Sequence, residues 1–222
     1  MPDNSILRVH RTKAEAQVSY DRMSRWYDLL AGIAERRYKT AGLEMLAAQP
    51  GERVLEIGFG TGACLLPLAE GVGTSGKVAG IDLSPGMLAV AERKLEKAGL
   101  RERVELTLGD AARLPFPNAA FDAVYTSFTL ELFDTPEIPV VLAGILRVLR
   151  PGGRLGVAAM SKRGGGLIVR LYEWFHRNFE AYADCRPIYT RQSLEQAGFE
   201  VTAERQMSMF GLPVDVLLSV KA

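Results

Sequence analysis

Residues 54–62, Val-Leu-Glu-Ile-Gly-Phe-Gly-Thr-Gly, constrain the fold more than any other stretch of this chain. Four residues with the profile of a buried strand run into three glycines at alternate positions, and a helix-compatible segment, 63–70, follows. A strand that stops at a glycine turn and restarts as a helix brings backbone N–H groups and the positive helix end to one point. Glycine suits such a turn because it accepts positive φ and lets a ligand approach the backbone closely. The spacing, Gly58-x-Gly60-x-Gly62, differs from the Gly-x-Gly-x-x-Gly of pyrophosphate-binding folds. It suits a loop wrapped around an amino-acid-bearing nucleoside.

A second strand profile, 77–81, ends at Asp82. A carboxylate at that strand end is placed to accept both ribose hydroxyls of a nucleoside lying over the glycine loop. Taken alone, Asp82 also reads as a turn carboxylate. Ser84 and Pro85 follow as N-cap and first helical residue, and Met87, Leu88, Ala91 and Leu95 recur at helical spacing.

Strand and helix patterns alternate from about position 40 onward, which predicts a parallel sheet covered on both faces. Strands are expected at 53–57, 77–81, 104–108, 121–127, 153–159, 200–205 and 210–221. Helices are expected at 13–30, 34–48, 63–70, 85–98, 136–149, 167–182 and 190–197. Pro151-Gly152-Gly153 marks the turn into the fifth strand, and Pro213 demotes the last one to a bulged or edge position. The 222 residues, 48% of them hydrophobic, suit one α/β domain without linkers or repeats.

A net charge of +1 from scattered basic residues argues against a nucleic-acid partner. Two cysteines, Cys64 and Cys185, fit a reducing compartment rather than a disulfide framework. Cys64, just after the glycine loop, reads either as a helix-favoured thiolate or as a small buried residue. Residues 1–19 show no apolar leader, and no apolar stretch approaches the roughly 20 residues that span a bilayer. A cytosolic protein with room for peripheral membrane contact is expected.

The motifs VLEIGFGTG, GIDLSPGMLAVAERKL, GDAARLPFPNAAFDAVYTSFTLELF and ILRVLRPGGRLGV, in that order, resemble those of class I S-adenosylmethionine-dependent methyltransferases. Within that class the chain is most similar to the ubiquinone/menaquinone C-methyltransferase family and its relatives, over residues 20–159. The resemblance implies a Rossmann-like sheet of seven strands, mostly parallel, with the last strand antiparallel and inserted. It implies one methyltransferase domain over 1–222, with an N-terminal helical lid at about 6–48 and an acceptor insertion at about 161–189. The cofactor would be S-adenosylmethionine, released as S-adenosylhomocysteine.

The resemblance also distributes the site. The loop of Gly58, Gly60 and Gly62 would face the methionine part of the cofactor, and Leu83 and Met87 would flank the adenine. Asp110 would accept from the adenine amino group and the Ala111 N–H would donate to the ring; Asp110 also reads as a helix N-cap. Glu56 would organise the loop or meet the cofactor's ammonium, which the Ser127 backbone would also reach. Tyr27, in the Tyr-Asp signature Tyr20-Asp21…Tyr27-Asp28, would belong to the lid, with simple packing on the sheet as the alternative.

Acceptor walls in this architecture come from 6–45, 129–133 and 161–189, the last rich in aromatics. An apolar pocket or membrane-facing helix for a quinol-like or lipid acceptor is one reading, and a helix packed on the sheet is the other. His176 and Glu131 are the candidates for moving or holding an acceptor proton. Two cysteines argue against arsenic methylation, and Thr126-Ser127-Phe128-Thr129 is not the Asn/Asp-Pro-Pro-aromatic motif of adenine or glutamine N-methylation. Three alternatives stay open: a phospholipid N-methyltransferase, a dinucleotide-dependent oxidoreductase and a cofactor binder without turnover.

Overall fold

The computed structural model describes residues 8–9, 12–23, 32–164, 166, 169 and 186–221. Among them the strands are β1 (Arg53–Ile57), β2 (Lys77–Asp82), β3 (Val104–Leu108), β4 (Phe121–Ser127), β5 (Leu149–Met160), β6 (Phe199–Met209) and β7 (Leu212–Lys221). They form one sheet in the order β3-β2-β1-β4-β5-β7-β6. The first five strands run parallel, and β7 is antiparallel to both β5 and β6. The helices are α1 (Lys13–Met23), α2 (Ile33–Leu46), α3 (Leu65–Gly71), α4 (Pro85–Lys97), α5 (Ile138–Val148) and α6 (Thr190–Gln196). The mostly parallel, doubly covered sheet is as the sequence predicts, and the inserted antiparallel last strand is as the resemblance implies. Pro213 does not put β7 at an edge, because it sits at the strand's start opposite Ser208 and β6 forms the edge.

Strand periodicity divides the core. Val54 lies beside Val78 and Ala123, and Val78 beside Val104, and these side chains pack with Leu46, Leu65, Leu68, Ala91 and Leu95. Their neighbours Leu55, Ile57, Ala79, Ile81 and Val124 pack on the other face with Ile138, Val141, Leu142 and Ile145 of α5. A strand covered on both faces needs a continuous apolar run, and Val54-Leu55 supplies both sides at once. The start of α4 is set locally: the Ser84 hydroxyl oxygen accepts the Met87 N–H at 3.0 Å, and Pro85 holds the first helical position.

Three boundaries depart from the sequence reading. First, α3 begins at Leu65 rather than 63, because the turn continues through Cys64. Second, Pro151-Gly152-Gly153 is no turn before a strand. β5 already starts at Leu149, and the pairing passes from Phe121↔Leu149 to Ala123↔Arg154, so residues 150–153 bulge opposite Asp122. Third, β6 runs on to Met209 and β7 starts at Leu212, because Phe210-Gly211 is the hairpin turn. Both turn residues have positive φ, 51° and 86°, as a two-residue hairpin of this hand requires. Phe210 occupies that region at a cost of about 1–2 kcal/mol relative to glycine.

The helix expected at 167–182 falls almost wholly outside the described residues, as does the second half of the one expected at 13–30. No helix among the described residues is long and apolar enough to cross a membrane.

Candidate active site

The chain leaves β1 toward β2 on one side and pairs with β4 on the other, so a crevice opens at the carboxyl ends of these strands. Gly58, Gly60, Asp82, Leu83, Met87, Asp110, Ala111, Ser127 and Glu56 line it. The structure thus brings these sequence-expected residues to one place; Gly62 stands behind them in the loop.

The three glycines do different work. All have positive φ, 70°, 52° and 79°. A Cβ on Gly58 would lie 2.3 Å from the Thr129 hydroxyl oxygen, and one on Gly62 would lie 3.0 Å from the Ala91 Cβ. Those two positions let β4 and α4 close on the loop. A Cβ on Gly60 would meet nothing within 4 Å, because it would stand in the crevice itself.

Asp82 fastens this loop to α4. One carboxylate oxygen accepts the Gly60 N–H at 2.8 Å and the other accepts the Ser84 N–H at 2.9 Å. The Leu83 N–H is a third backbone donor to this carboxylate. Burial raises the Asp82 carboxyl above its ordinary value, with the backbone donors opposing the rise.

At the adenine-facing end expected from sequence, Asp110 takes its N-cap reading. Its Oδ1 accepts the Ala112 N–H at 2.9 Å, capping a short 3-10 turn, and its Oδ2 meets the Lys13 ammonium at 2.7 Å. Burial would raise the Asp110 carboxyl, but Lys13 and the Ala112 N–H outweigh it and hold the group low. Lys13 also pairs with Glu137. Arg8 grips Asp134 through two nitrogens, and the Val9 N–H donates to Asp134 Oδ1 at 3.0 Å. The Arg8 guanidinium holds the Asp134 carboxyl at about 2.

On the opposite bank the Asp21 carboxylate accepts the Gly86 N–H at 2.9 Å and the Ser84 hydroxyl. Val9, Lys13, Ala16 and Tyr20 therefore roof the crevice on a strap tied down on both sides. Tyr27 lies outside the described residues.

The far end of the crevice holds a buried polar group that spacing alone does not reveal. Glu56 is 1% exposed, its Oε2 has no hydrogen-bond partner, and burial raises its carboxyl well above the ordinary range. Lys39 of α2 lines the same end and pairs with Glu35 at 2.7 Å. Burial lowers its ammonium, but Glu35 and the nearby Cys64 and Glu56 raise it further, so it stays charged. Burial pushes the Cys64 thiol upward, which selects the small buried residue over the thiolate.

At the end of β4 the Ser127 carbonyl accepts the Thr129 hydroxyl at 3.0 Å. The next residue, Phe128, is buried with φ 51° and meets Tyr38 edge-on at 6.0 Å, so backbone strain sits on the crevice wall.

Glu131 is fully buried and stands off that wall. Its Oε1 accepts the Met160 N–H at 3.0 Å, its Oε2 has no hydrogen-bond partner, and burial pushes its carboxyl up to about 8. His176 lies outside the described residues. No cluster of potential metal ligands occurs among the described residues.

Among the charged residues, Lys13, Lys39, Asp134 and Glu137 line the crevice and Asp21 ties down its roof without having been singled out as site residues from the sequence. Only the Tyr-Asp signature hinted at one of them, Asp21.

Known proteins share both sequence and fold with this chain. A family profile described as a methyltransferase domain matches residues 54–153. The ubiquinone/menaquinone biosynthesis C-methyltransferase UbiE of Ectopseudomonas mendocina is 37% identical over 160 residues, covering 72% of this chain and 60% of that one. The corresponding protein of Teredinibacter turnerae is 35% identical over 159 residues, covering 72% and 62%. The chain thus spans about three fifths of the length of these relatives.

Two solved structures share the fold. The 4+2 cyclase SpnF superposes with a TM-score of 0.79 at 22% identity over 98% of both chains. A SAM-dependent methyltransferase from Aquifex aeolicus gives 0.62 at 24% identity, over 83% of this chain and 89% of that one. The chain belongs to the class I S-adenosylmethionine-dependent methyltransferases.

Proposed function

We propose that the chain binds S-adenosylmethionine in this crevice and passes its methyl group to a small lipophilic acceptor, a quinol-like ring taking the methyl at carbon or oxygen. One observation carries the cofactor reading. The Asp82 carboxylate stands beside Gly60 on the crevice wall, and a Cβ on Gly60 would meet no protein atom within 4 Å. The orphaned Glu56 oxygen adds to it, since a buried carboxylate oxygen without a donor calls for one, and the cofactor's ammonium is a donor. The names of the relatives support the quinol-like acceptor.

When bound, S-adenosylmethionine supplies a methyl group on a sulfonium that leaves without acid assistance. The protein's part is then orientation and exclusion of water. Asp82 takes the ribose hydroxyls, Leu83 and Met87 wall the adenine, and the Ala111 N–H donates to its edge. Asp110 accepts the adenine amino group as Lys13 gives way. Glu56 and the Ser127 carbonyl receive the ammonium, and the Lys39 cation receives the carboxylate. Glu131 serves as a positioning residue, holding the turn after β4 (Leu130–Leu132) against β5.

Replacing Asp82 with alanine is expected to weaken S-adenosylhomocysteine binding by about 1–3 kcal/mol, roughly 5- to 150-fold, the range for a hydrogen bond to a charged group. Titration calorimetry checks it, and an unchanged affinity would place the ribose elsewhere. Lys39→Met separates the two ends of the cofactor. It should cost about tenfold for S-adenosylhomocysteine and little for methylthioadenosine, which lacks the amino-acid carboxylate. Equal losses for both ligands would remove Lys39 from the carboxylate site.

The second reading is a crevice that binds the cofactor without transferring its methyl group. Methyl-labelled cofactor decides between them: label appearing in a lipid-extractable quinol supports transfer, and binding without any label transfer supports the second.

A further inference from the structure

Away from the crevice, α2 and the β6–β7 hairpin share a groove that the cofactor reading leaves unused. Ile33, Met207, Met209 and Phe210 line it together with Arg36, Arg37 and Arg205. Phe210 is 84% exposed at the hairpin tip, and Ile33 is 75% exposed at the start of α2. Large apolar side chains placed in water forgo the burial that stabilises them elsewhere. Phe210 does so in a left-handed backbone that asparagine or glycine would adopt more readily. Folding gives no account of an aromatic ring there.

The charges on the patch narrow the choice of partner. Three arginines face one carboxylate, Glu44, a local excess of two positive charges (3 − 1) on a chain whose whole net charge is +1. Arg37 is fixed near the tip of the hairpin, donating to the Ser208 carbonyl and lying 4.6 Å from the Tyr38 ring centre. Arg36 and Arg205 are exposed. A second copy of the chain would bring like charge against like charge across a two-fold axis. Isolated apolar tips ringed by guanidinium groups instead match a bilayer boundary, where rings enter the acyl edge and arginines take lipid phosphates bidentately.

Position agrees with this. β7 is antiparallel to β5, with Met160↔Val214 as the last pair, so the Phe210-Gly211 turn emerges at the carboxyl edge of the sheet, where the crevice also lies.

We propose that this patch docks the protein on anionic lipid bilayers, with Phe210 and Ile33 inserted and Arg36 and Arg205 on headgroup phosphates. The docking requires neither cofactor nor acceptor, so its failure and the failure of the methyl-transfer reading are distinguishable.

The test is co-sedimentation of the full chain with phosphatidylcholine vesicles containing about one third phosphatidylglycerol, beside vesicles of phosphatidylcholine alone. The expected result is at least tenfold stronger partitioning onto the anionic vesicles, weakening as salt rises through the screening range. Phe210→Ser and the double variant Arg36→Ala/Arg205→Ala should each remove most of it. Both should leave the melting temperature and S-adenosylhomocysteine binding as they are, and Phe210→Trp should restore partitioning and shift its emission to the blue on anionic vesicles. Equal partitioning onto both vesicle types, or no loss in the variants, would overturn the proposal. So would a concentration-dependent dimer in sedimentation velocity that Phe210→Ser dissolves.

Discussion

Gly60→Val is expected to abolish S-adenosylhomocysteine binding in a protein that still folds. The new side chain would enter space where nothing lies within 4 Å, so the folded chain loses only backbone ease at φ 52°, about 1–2 kcal/mol. That is a modest part of the roughly 5–15 kcal/mol that stabilises a domain of ordinary size. Gly58→Ala should behave in the opposite way. Its methyl would sit 2.3 Å from the Thr129 hydroxyl oxygen on a φ of 70°, so the melting temperature should collapse before binding can be assessed. Circular dichroism melts with calorimetry on both variants check the pair. Wild-type affinity in a folded Gly60→Val protein would mean that the loop faces no ligand.

Glu131 should make stability fall as pH rises through the neutral range. Its carboxyl titrates at about 8 in the folded chain against 4.5 for the ordinary group, so the folded state holds its proton more tightly. The stabilisation from that proton is complete below about 4.5 and is lost as pH climbs through about 8, at up to about 1.4 kcal/mol per unit. Glu131→Gln keeps an oxygen for the Met160 N–H and removes the titration. At pH 5 the variant should be slightly less stable, because its amide N–H groups find no acceptor where Oε2 was orphaned. Near pH 8 it should overtake the wild type, with a relative change between the two conditions of about 4 kcal/mol. Urea unfolding at both pH values measures this, and parallel stability curves would show that Glu131 does not titrate there.

The parallel sheet and the crevice were legible because their signals are local. Val54-Leu55 before Gly58-x-Gly60-x-Gly62, Asp82 at the end of β2 and the Ser84-Pro85 cap each declare a structure within a few residues. The hairpin was less so: Phe-Gly is not the Asn-Gly signature of a tight turn, and tertiary pairing alone forces Phe210 into the left-handed region. Pro151 to Gly153 read as a turn because proline and glycines punctuate turns and bulges alike.

Lys13 and Lys39 were invisible, and Asp21 only hinted at, for a different reason. Each acts on a partner or wall distant in sequence, as Lys13 does on Asp110 and Asp21 on Gly86, and no periodicity records such pairs. Glu131 was read as facing the acceptor because it follows β4 at once. The short turn after that strand instead carries it against the β5 backbone.

The place of β7 between β5 and β6 has a consequence for how the sheet comes together. Leu155, Val157 and Ala159 of β5 lie flanked on one side by a strand made more than fifty positions later, so that flank waits with open amide and carbonyl groups until residues 212–221 arrive. During synthesis the nucleoside-binding half can assemble on the ribosome while its neighbour stays sticky, and the final zipper is drawn shut by the hairpin as one piece.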